Sequence, residues 1–273
     1  MLRQRVVTAL TLLALFLAAL FLLPQAGWVV LVILIVMQGT AEWSYLARLH
    51  GAAAQSYWWL TLALMAGFAW FDANHAAQQL LPPHLTVYVL SLLLWLVVVP
   101  LWLGLGWQVR NPWLMAGVGW LVIIPTGLAL MDLRDNPRLL LGVMVLVWVA
   151  DSAAYFSGRT FGKRKLAPSI SPGKTWEGIM GALAAASAYV LLGWALSDYR
   201  HLYVFLPTLL LAAWCWVALA VEGDLFESAI KRQAGVKDSG ALLPGHGGLL
   251  DRIDALTSTL PLAALAMLLQ KLP

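Results

Sequence analysis

The sequence predicts an all-α, polytopic integral membrane protein of about nine transmembrane helices. Three observations carry this. Of 273 residues, 62% are apolar and only 11% are charged, where a soluble domain carries about 25% charge. Mean hydropathy is +0.81. The apolar residues also fall into nine long runs, each near the length of about 20 residues that crosses a bilayer. The same composition excludes disorder, collagen and a coiled coil. A single cysteine, Cys215, excludes a disulfide scaffold.

Taken in order, the runs are 6–23, 27–47, 56–72, 86–104, 112–131, 138–157, 176–196, 202–222 and 249–269. The first follows Arg3 and Arg5, an opening shared with signal peptides. Its length exceeds a usual signal core, and Pro24-Gln25-Ala26-Gly27 leads at once into the next run, so a retained helix is expected. The third run is short and its boundaries are soft. Basic residues set the orientation. Arg159, Lys163, Arg164, Lys165 and Lys174 follow the sixth run; Lys231, Arg232 and Lys237 follow the eighth. Two spans separate these loops, so both lie on one face, and counting back places Arg3, Arg5, Arg48 and Arg110 there too. The expectation is a cytoplasmic N-terminus and an external C-terminus. Tryptophans such as Trp58, Trp59, Trp102 and Trp113 suit the interfaces. The chain divides into an N-terminal region, 1–110, with four spans, and a region 111–273 with two long polar cytoplasmic loops, 158–175 and 223–248.

Charge is concentrated in the second region. Residues 1–150 hold only six of 17 basic and four of 13 acidic side chains. From Glu222 the sequence continues span eight as a helix. Asp224, Ser228 and Lys231 share one face of it at i, i+4, i+7. Glu227 lies beside that face, and Gly235 is the expected stop. Gly245-His246-Gly247-Gly248 follows, where glycines let backbone N–H groups approach an anion. Then Asp251 and Asp254 open the ninth span at i, i+3 with Arg252 between them. Asp151 lies within or at the end of span six, where an ionisable group is a functional candidate. Downstream, Ser171-Pro172-Gly173-Lys174-Thr175-Trp176-Glu177-Gly178 contains a Gly-Lys-Thr, but a phosphate-binding P-loop is excluded by spacing and by the lack of a preceding strand.

Several carboxylates with Lys and Arg beside glycine-rich loops point to a site for polyphosphate and Mg²⁺. Structural readings stand beside these. Lys163, Arg164 and Lys165 also serve as topology determinants, Asp254 as a helix-start residue, and His246 as loop packing. Glu42, Asp72 and His75 lie at span ends and read as interfacial. A transporter would favour broken helices and inverted repeats near the bilayer centre, and neither is visible.

The residues Ser228-x-Ile230-Lys231-Arg232, Lys237-Asp238-x-Gly240 and Leu243-Pro244-x-His246-Gly247-Gly248-Leu249-x-Asp251-Arg252-Ile253-Asp254 resemble the signature of the phosphatidate cytidylyltransferases, the CDP-diacylglycerol synthases. Every fixed position from Ser228 to Asp254 is present. The segments 151–162 and 171–178 resemble the family's second conserved region. Gly173 stands where many members carry a second Lys. The likeness covers roughly residues 110–273; the first 110 match in hydropathy only.

The resemblance implies transfer of CMP from CTP to phosphatidate, giving CDP-diacylglycerol and pyrophosphate. It implies a polytopic, commonly dimeric enzyme of the bacterial cytoplasmic membrane with a divalent metal, normally Mg²⁺. The presence of a second cation stays open. No nucleic-acid partner is expected. Asp224 and Asp251 match the family's metal-binding carboxylates and Lys231 a functional lysine beside them. By position, Asp254 and Asp151 are candidates to complete the metal shell. Lys174, Arg232, Lys237, His246, Gly247, Gly248 and Arg252 are candidates for CTP and phosphate contacts. Ser171, Thr175, Glu177 and Ser228 are candidates for substrate positioning.

Overall fold

The computed structural model describes residues 2–75, 77–198, 201–242 and 247–270. Its helices are α1 (Leu2–Leu22), α2 (Gln25–Leu46), α3 (Gly51–Asn74), α4 (Ala77–Leu93), α5 (Val99–Leu105), α6 (Pro112–Asp132), α7 (Pro137–Phe161), α8 (Trp176–Leu196), α9 (Leu206–Ala234) and α10 (Leu250–Leu269). Seven helical stretches among the described residues are long and apolar enough to cross a membrane. They are Gln25–Leu46, Pro83–Leu105, Pro112–Asp135, Pro137–Phe161, Trp176–Leu196, Tyr203–Ala234 and Leu250–Leu269. The helical membrane class therefore stands, while the count of nine does not follow from the described residues. The expected first span enters only as a shorter apolar helix, Leu10–Leu22. The expected third, α3, falls outside the seven; it carries Gln55, Ser56, Asp72 and Asn74 along its length.

The all-α class stands, with one small addition. Segment 158–175 starts as the last turn of α7 and then forms an antiparallel hairpin, β1 (Lys165–Ala167) with β2 (Ser171–Thr175). Lys165 faces Thr175 and Ala167 faces Ser171. Pro168 and Pro172 exclude a helix here, because each lacks a donor and its ring collides with the preceding turn. In segment 223–248, α9 runs on to Ala234 and stops at Gly235, as the spacing predicts. At 29 residues α9 is about 43 Å long, roughly 13 Å more than a hydrocarbon core. Its last turns therefore carry charge outside the apolar layer. Gly235, at φ 82°, ends the helix, its N–H and that of Val236 closing back on the carbonyls of Arg232 and Lys231.

α6 is the hub. Most of its span is buried inside the bundle, while little of α8 is. α2 lies antiparallel to α6: the Trp28 indole donates to the Leu130 carbonyl at 2.9 Å and the Trp43 indole to that of Met115 at 2.8 Å. These bonds satisfy donors that lipid could not, and they place these tryptophans in the core rather than at the interfaces. Trp102 is buried too, edge-on to Phe226. One apolar core runs from Leu20 to Leu268 and crosses position 110. A smaller one joins α7, α8 and α9 through Ala150, Ala182, Ala186 and Ala213. Between α4 and α5 the helix widens to a π turn, Leu94–Val98. Pro100 follows, and the wide turn absorbs its missing N–H and its ring. Trp95, in this turn, is fully buried.

Candidate active site

The end of α9, the start of α10 and the hairpin meet at one end of the bundle. Gly223 lets the two helices touch: a Cβ there would lie 2.6 Å from the Asp254 carbonyl oxygen and 2.8 Å from Ser258 Oγ. The contact sets the acids of α9 beside those of α10. Lys231 is the buried cation between them. Its Nζ donates to Glu227 Oε2 at 2.8 Å, one helical turn back, and to Asp251 Oδ1 at 2.6 Å across the interface. Both bonds are charge-assisted and therefore stronger than neutral ones.

Asp251 is held from its other side as well. Its Oδ2 accepts from the backbone N–H of Ser239 (2.9 Å), from Ser239 Oγ (3.1 Å) and from the N–H of Gly248 (2.8 Å). Gly248 is a glycine because of crowding: a Cβ there would fall 2.2 Å from Ser239 Oγ and 2.4 Å from Glu42 Oε2. Gly247 adopts φ 81°, with an added Cβ 2.6 Å from Asp251 Oδ2. Gly247 and Gly248 thus wrap the protein's own carboxylate, and the Gly248 amide is engaged there.

Glu42 is the unexpected member. It is buried near the end of α2 and accepts from Gln38 Nε2, Ser239 Oγ and the backbone N–H groups of Leu249 and Leu250, all at 2.8–2.9 Å. It caps the start of α10, where a carboxylate complements the helix dipole. Ser239 Oγ has one hydrogen and two carboxylate acceptors, Glu42 and Asp251, so it serves one at a time.

Asp224 is the more open acid, its side chain 37% exposed against 6% for Asp251. Lys174 reaches it from β2 at 2.8 Å and also donates to the Val221 carbonyl at 3.2 Å. Ser228 Oγ donates to Asp224 Oδ1 at 3.3 Å. Asp151, exposed on α7, lies within electrostatic reach of Asp224 and Lys174. Asp254 lies within reach of Asp224, Glu227 and Lys231, and its Oδ1 accepts from the N–H of Ala255. The structure therefore gathers Asp151, Lys174, Asp224, Ser228, Lys231, Asp251 and Asp254.

The remaining candidates are placed differently. Thr175 is buried and caps α8, accepting from the Gly178 N–H at 3.1 Å. The Glu177 carboxylate accepts from the N–H groups of Lys163 and Arg164 and fastens the entry of the hairpin to α8. Ser171 begins β2, paired with Ala167. Arg232, Lys237 and Arg252 are exposed; Arg232 donates to the Val236 carbonyl. His246 lies outside the described residues. Sequence reasoning gave no role to Glu42, Ser239 or Glu227. For Glu42 a signal was present: a carboxylate inside a run of 22 mostly apolar residues is costly and rarely idle.

A second polar cluster lies at the other end. His84 Nδ1 meets Asp132 Oδ2 at 2.9 Å, its Nε2 meets Asp72 Oδ1 at 3.0 Å, and Tyr88 donates to Asp132 at 2.7 Å. Asp132 ends α6, while Met115, bonded to Trp43 close to Glu42, begins it. One ligand atom from each of Asp72, His84 and Asp132 lies within 4.8 Å of the others, close enough to hold a metal. Asp254 and Glu227 share a cavity wall with Val122, ten positions before Asp132, so about 15 Å of α6 separates this cluster from the nearest acids of α9 and α10.

The acid–lysine site is all-oxygen in its potential ligands. Carboxylates suit a hard divalent ion, and two ammonium groups already place positive charge among them. Known proteins resemble the chain over nearly its whole length. A model described as the cytidylyltransferase family matches residues 3–270. The chain is 41% identical over 289 residues to a protein named phosphatidate cytidylyltransferase from Pseudomonas aeruginosa, covering 97% of this chain and 96% of that one. It is 37% identical over 283 residues to the protein of the same name from Haemophilus influenzae, with 96% of each covered. A Bacillus subtilis protein, again of that name, is 46% identical over 121 residues, or 43% of this chain and 42% of its own.

Proposed function

The chain belongs to the cytidylyltransferase family, and from that premise we propose how its residues transfer CMP from CTP to phosphatidate. It is a membrane nucleotidyltransferase of phospholipid synthesis, a phosphatidate cytidylyltransferase like its near-full-length relatives. The observation that carries the mechanism is the double grip on Lys231 beside the more open Asp224.

A phosphomonoester has a second pKa near 6 and is largely dianionic at pH 7. Phosphatidate therefore needs no strong general base to attack the α-phosphorus of CTP in line, as pyrophosphate leaves. The work left to the protein is positioning and charge neutralisation. Asp224 and Asp251, with Asp254 and Asp151 near them, are the residues that would hold Mg²⁺. When bound, that ion supplies charge neutralisation for the phosphates and the leaving pyrophosphate. Whether one cation or two are held is read by titration with a spectroscopic Mn²⁺ substitute. Lys174 and Lys231 supply cationic N–H donors; Arg232, Lys237 and Arg252 lie exposed nearby for the triphosphate. Ser228 orients Asp224. Ser239 and Gly248 orient Asp251. Thr175 and Glu177 fix the hairpin that delivers Lys174.

The reading extends to topology. Nine spans, a cytoplasmic N-terminus, the bacterial inner membrane and a cytoplasmic site form one consistent assignment. Supporting it, Arg48 donates to the Gln233 carbonyl and Val109, beside Arg110, pairs with the Gln233 side chain, so the basic connections cluster near the α9 acids. A homodimer is part of the same reading; cross-linking in native membranes tests it.

The experiment is pyrophosphate release by purified protein with CTP, phosphatidate and Mg²⁺, and with each omitted in turn. Release only with all three supports the mechanism. Release without added divalent ion, in the presence of EDTA, overturns the metal assignment.

A further inference from the structure

Behind the acids lies a small buried cavity lined by Trp95, Gly223, Phe226, Glu227, Asp254 and Thr257, among others. It offers about 10 Å³ to the centre of a water-sized sphere, room for roughly one water molecule. Two buried polar atoms of its lining have no protein partner among the described residues: the Trp95 indole nitrogen and Glu227 Oε1. Trp95 is 0% exposed and Glu227 5%. One can only donate and the other, as a carboxylate, only accepts. Leaving both unpaired is costly. The remaining candidates are already engaged: the Trp43 indole on Met115 and the Thr257 hydroxyl on the Asp254 carbonyl.

We infer that Trp95 is a positioning residue for the site, acting on Glu227 through one water held in this cavity. The inference rests on the cytidylyltransferase reading above. The water accepts from the indole N–H and donates to Glu227 Oε1, with Asp254 in the cavity wall as its second acceptor. That supplies the two to four polar partners a buried water requires. A cation is a poor occupant, because the indole would present its positive hydrogen to it. The wall is mostly apolar, but a dry cavity would leave both of these polar atoms unmet. The consequence concerns Glu227, whose other oxygen grips Lys231, which in turn grips Asp251. Trp95 sits in the π turn Leu94–Val98, a backbone feature frequent at functional sites. A residue of the N-terminal region thereby fixes the ion pair that the C-terminal region uses.

The test keeps the ring and removes the N–H. Site-specific replacement of Trp95 by benzothienylalanine, and separately Trp95→Phe, are made in the full chain in lipid nanodiscs. In both, kcat for pyrophosphate release is expected to fall roughly tenfold, as for the loss of a hydrogen bond to a charged group. KM for CTP should move less than about twofold. In a Glu227→Gln background the same replacements should cause no further fall, since the two residues act as one unit. Unchanged kcat with the isosteric replacement, or additive losses in the double variants, overturns the inference. A direct readout is independent of turnover. The Trp95 indole ¹⁵N–¹H resonance, assigned by its loss in Trp95→Phe, should show a cross-peak to a long-lived water. Absence of that cross-peak overturns the bridging water even if the enzyme is fully active, and its presence in a protein without CTP turnover would instead fault the functional reading.

Discussion

The two polar clusters at opposite ends of α6 use similar parts for different ends. At the Asp132 end, both nitrogens of His84 face carboxylates and Tyr88 donates to one of them. Each His84 nitrogen thus has its partner, and the cluster ties α3, α4 and α6 together. At the Glu42 end, Asp224 is 37% exposed, Glu227 Oε1 has no protein partner among the described residues and the acids outnumber the lysines among them. A closed network rigidifies a fold; a network with an excess of carboxylates and an open face is ready to take a cation. On the function proposed above, the carboxylates at the Asp132 end serve stability and those at the Glu42 end serve chemistry.

The sharpest way to break that contrast is to neutralise an acid at the Glu42 end. Asp224→Asn or Asp251→Asn should lower turnover by about 10³-fold at saturating Mg²⁺, the scale of lost electrostatic stabilisation, while membrane insertion is unchanged. Near-normal pyrophosphate release in either would end their assignment as metal ligands. Glu42→Gln should come next, because it turns an amide towards donors at the start of α10. A loss of about 2 kcal/mol in stability with a roughly tenfold drop in kcat is expected, read by thermal unfolding in nanodiscs alongside turnover. Asp254→Asn, whose oxygen already accepts its neighbour's N–H, should lower kcat by about tenfold or less with little change in unfolding temperature. A drop as large as that of Asp224→Asn would move it among the metal ligands. At the other end, Asp132→Asn should reverse the pattern. It should cost about 3 kcal/mol by leaving His84 short of a partner, with kcat of the folded enzyme within twofold. A kcat loss exceeding the stability loss would show that both ends serve catalysis.

Much of this was legible in the sequence. Apolar runs located the long helices of 111–273 because each run is nearly uninterrupted. Gly235 was readable as a stop because only a residue tolerant of positive φ fits there. The acids of α9 and α10 were legible through their helical spacing. What escaped the sequence is what long-range packing decides. Glu42 read as interfacial because its partners, Ser239 and Leu250, lie 197 and 208 positions away. Gly248 read as an anion cradle because spacing cannot show that its amide faces Asp251. Asp72 read as interfacial because nothing local places His84 beside it. The hairpin at 165–175 escaped because it is short and lies between two strong helical signals.

Glu42 also imposes an order on synthesis. Its hydrogen bonds to Ser239, Leu249 and Leu250 close the site from the second helix to the last. At about 5–20 residues per second on the ribosome, this carboxylate waits roughly 10–40 seconds for its partners to emerge. During that interval Gln38, one turn back on the same helix, is the donor within α2 that meets this carboxylate at the edge of the lipid, a costly position. A nascent chain that stops before α10 therefore lacks the Leu250 donor to Glu42 and lacks Asp251, the partner of Lys231. On the proposed reading, the site is assembled only when the last helix is complete.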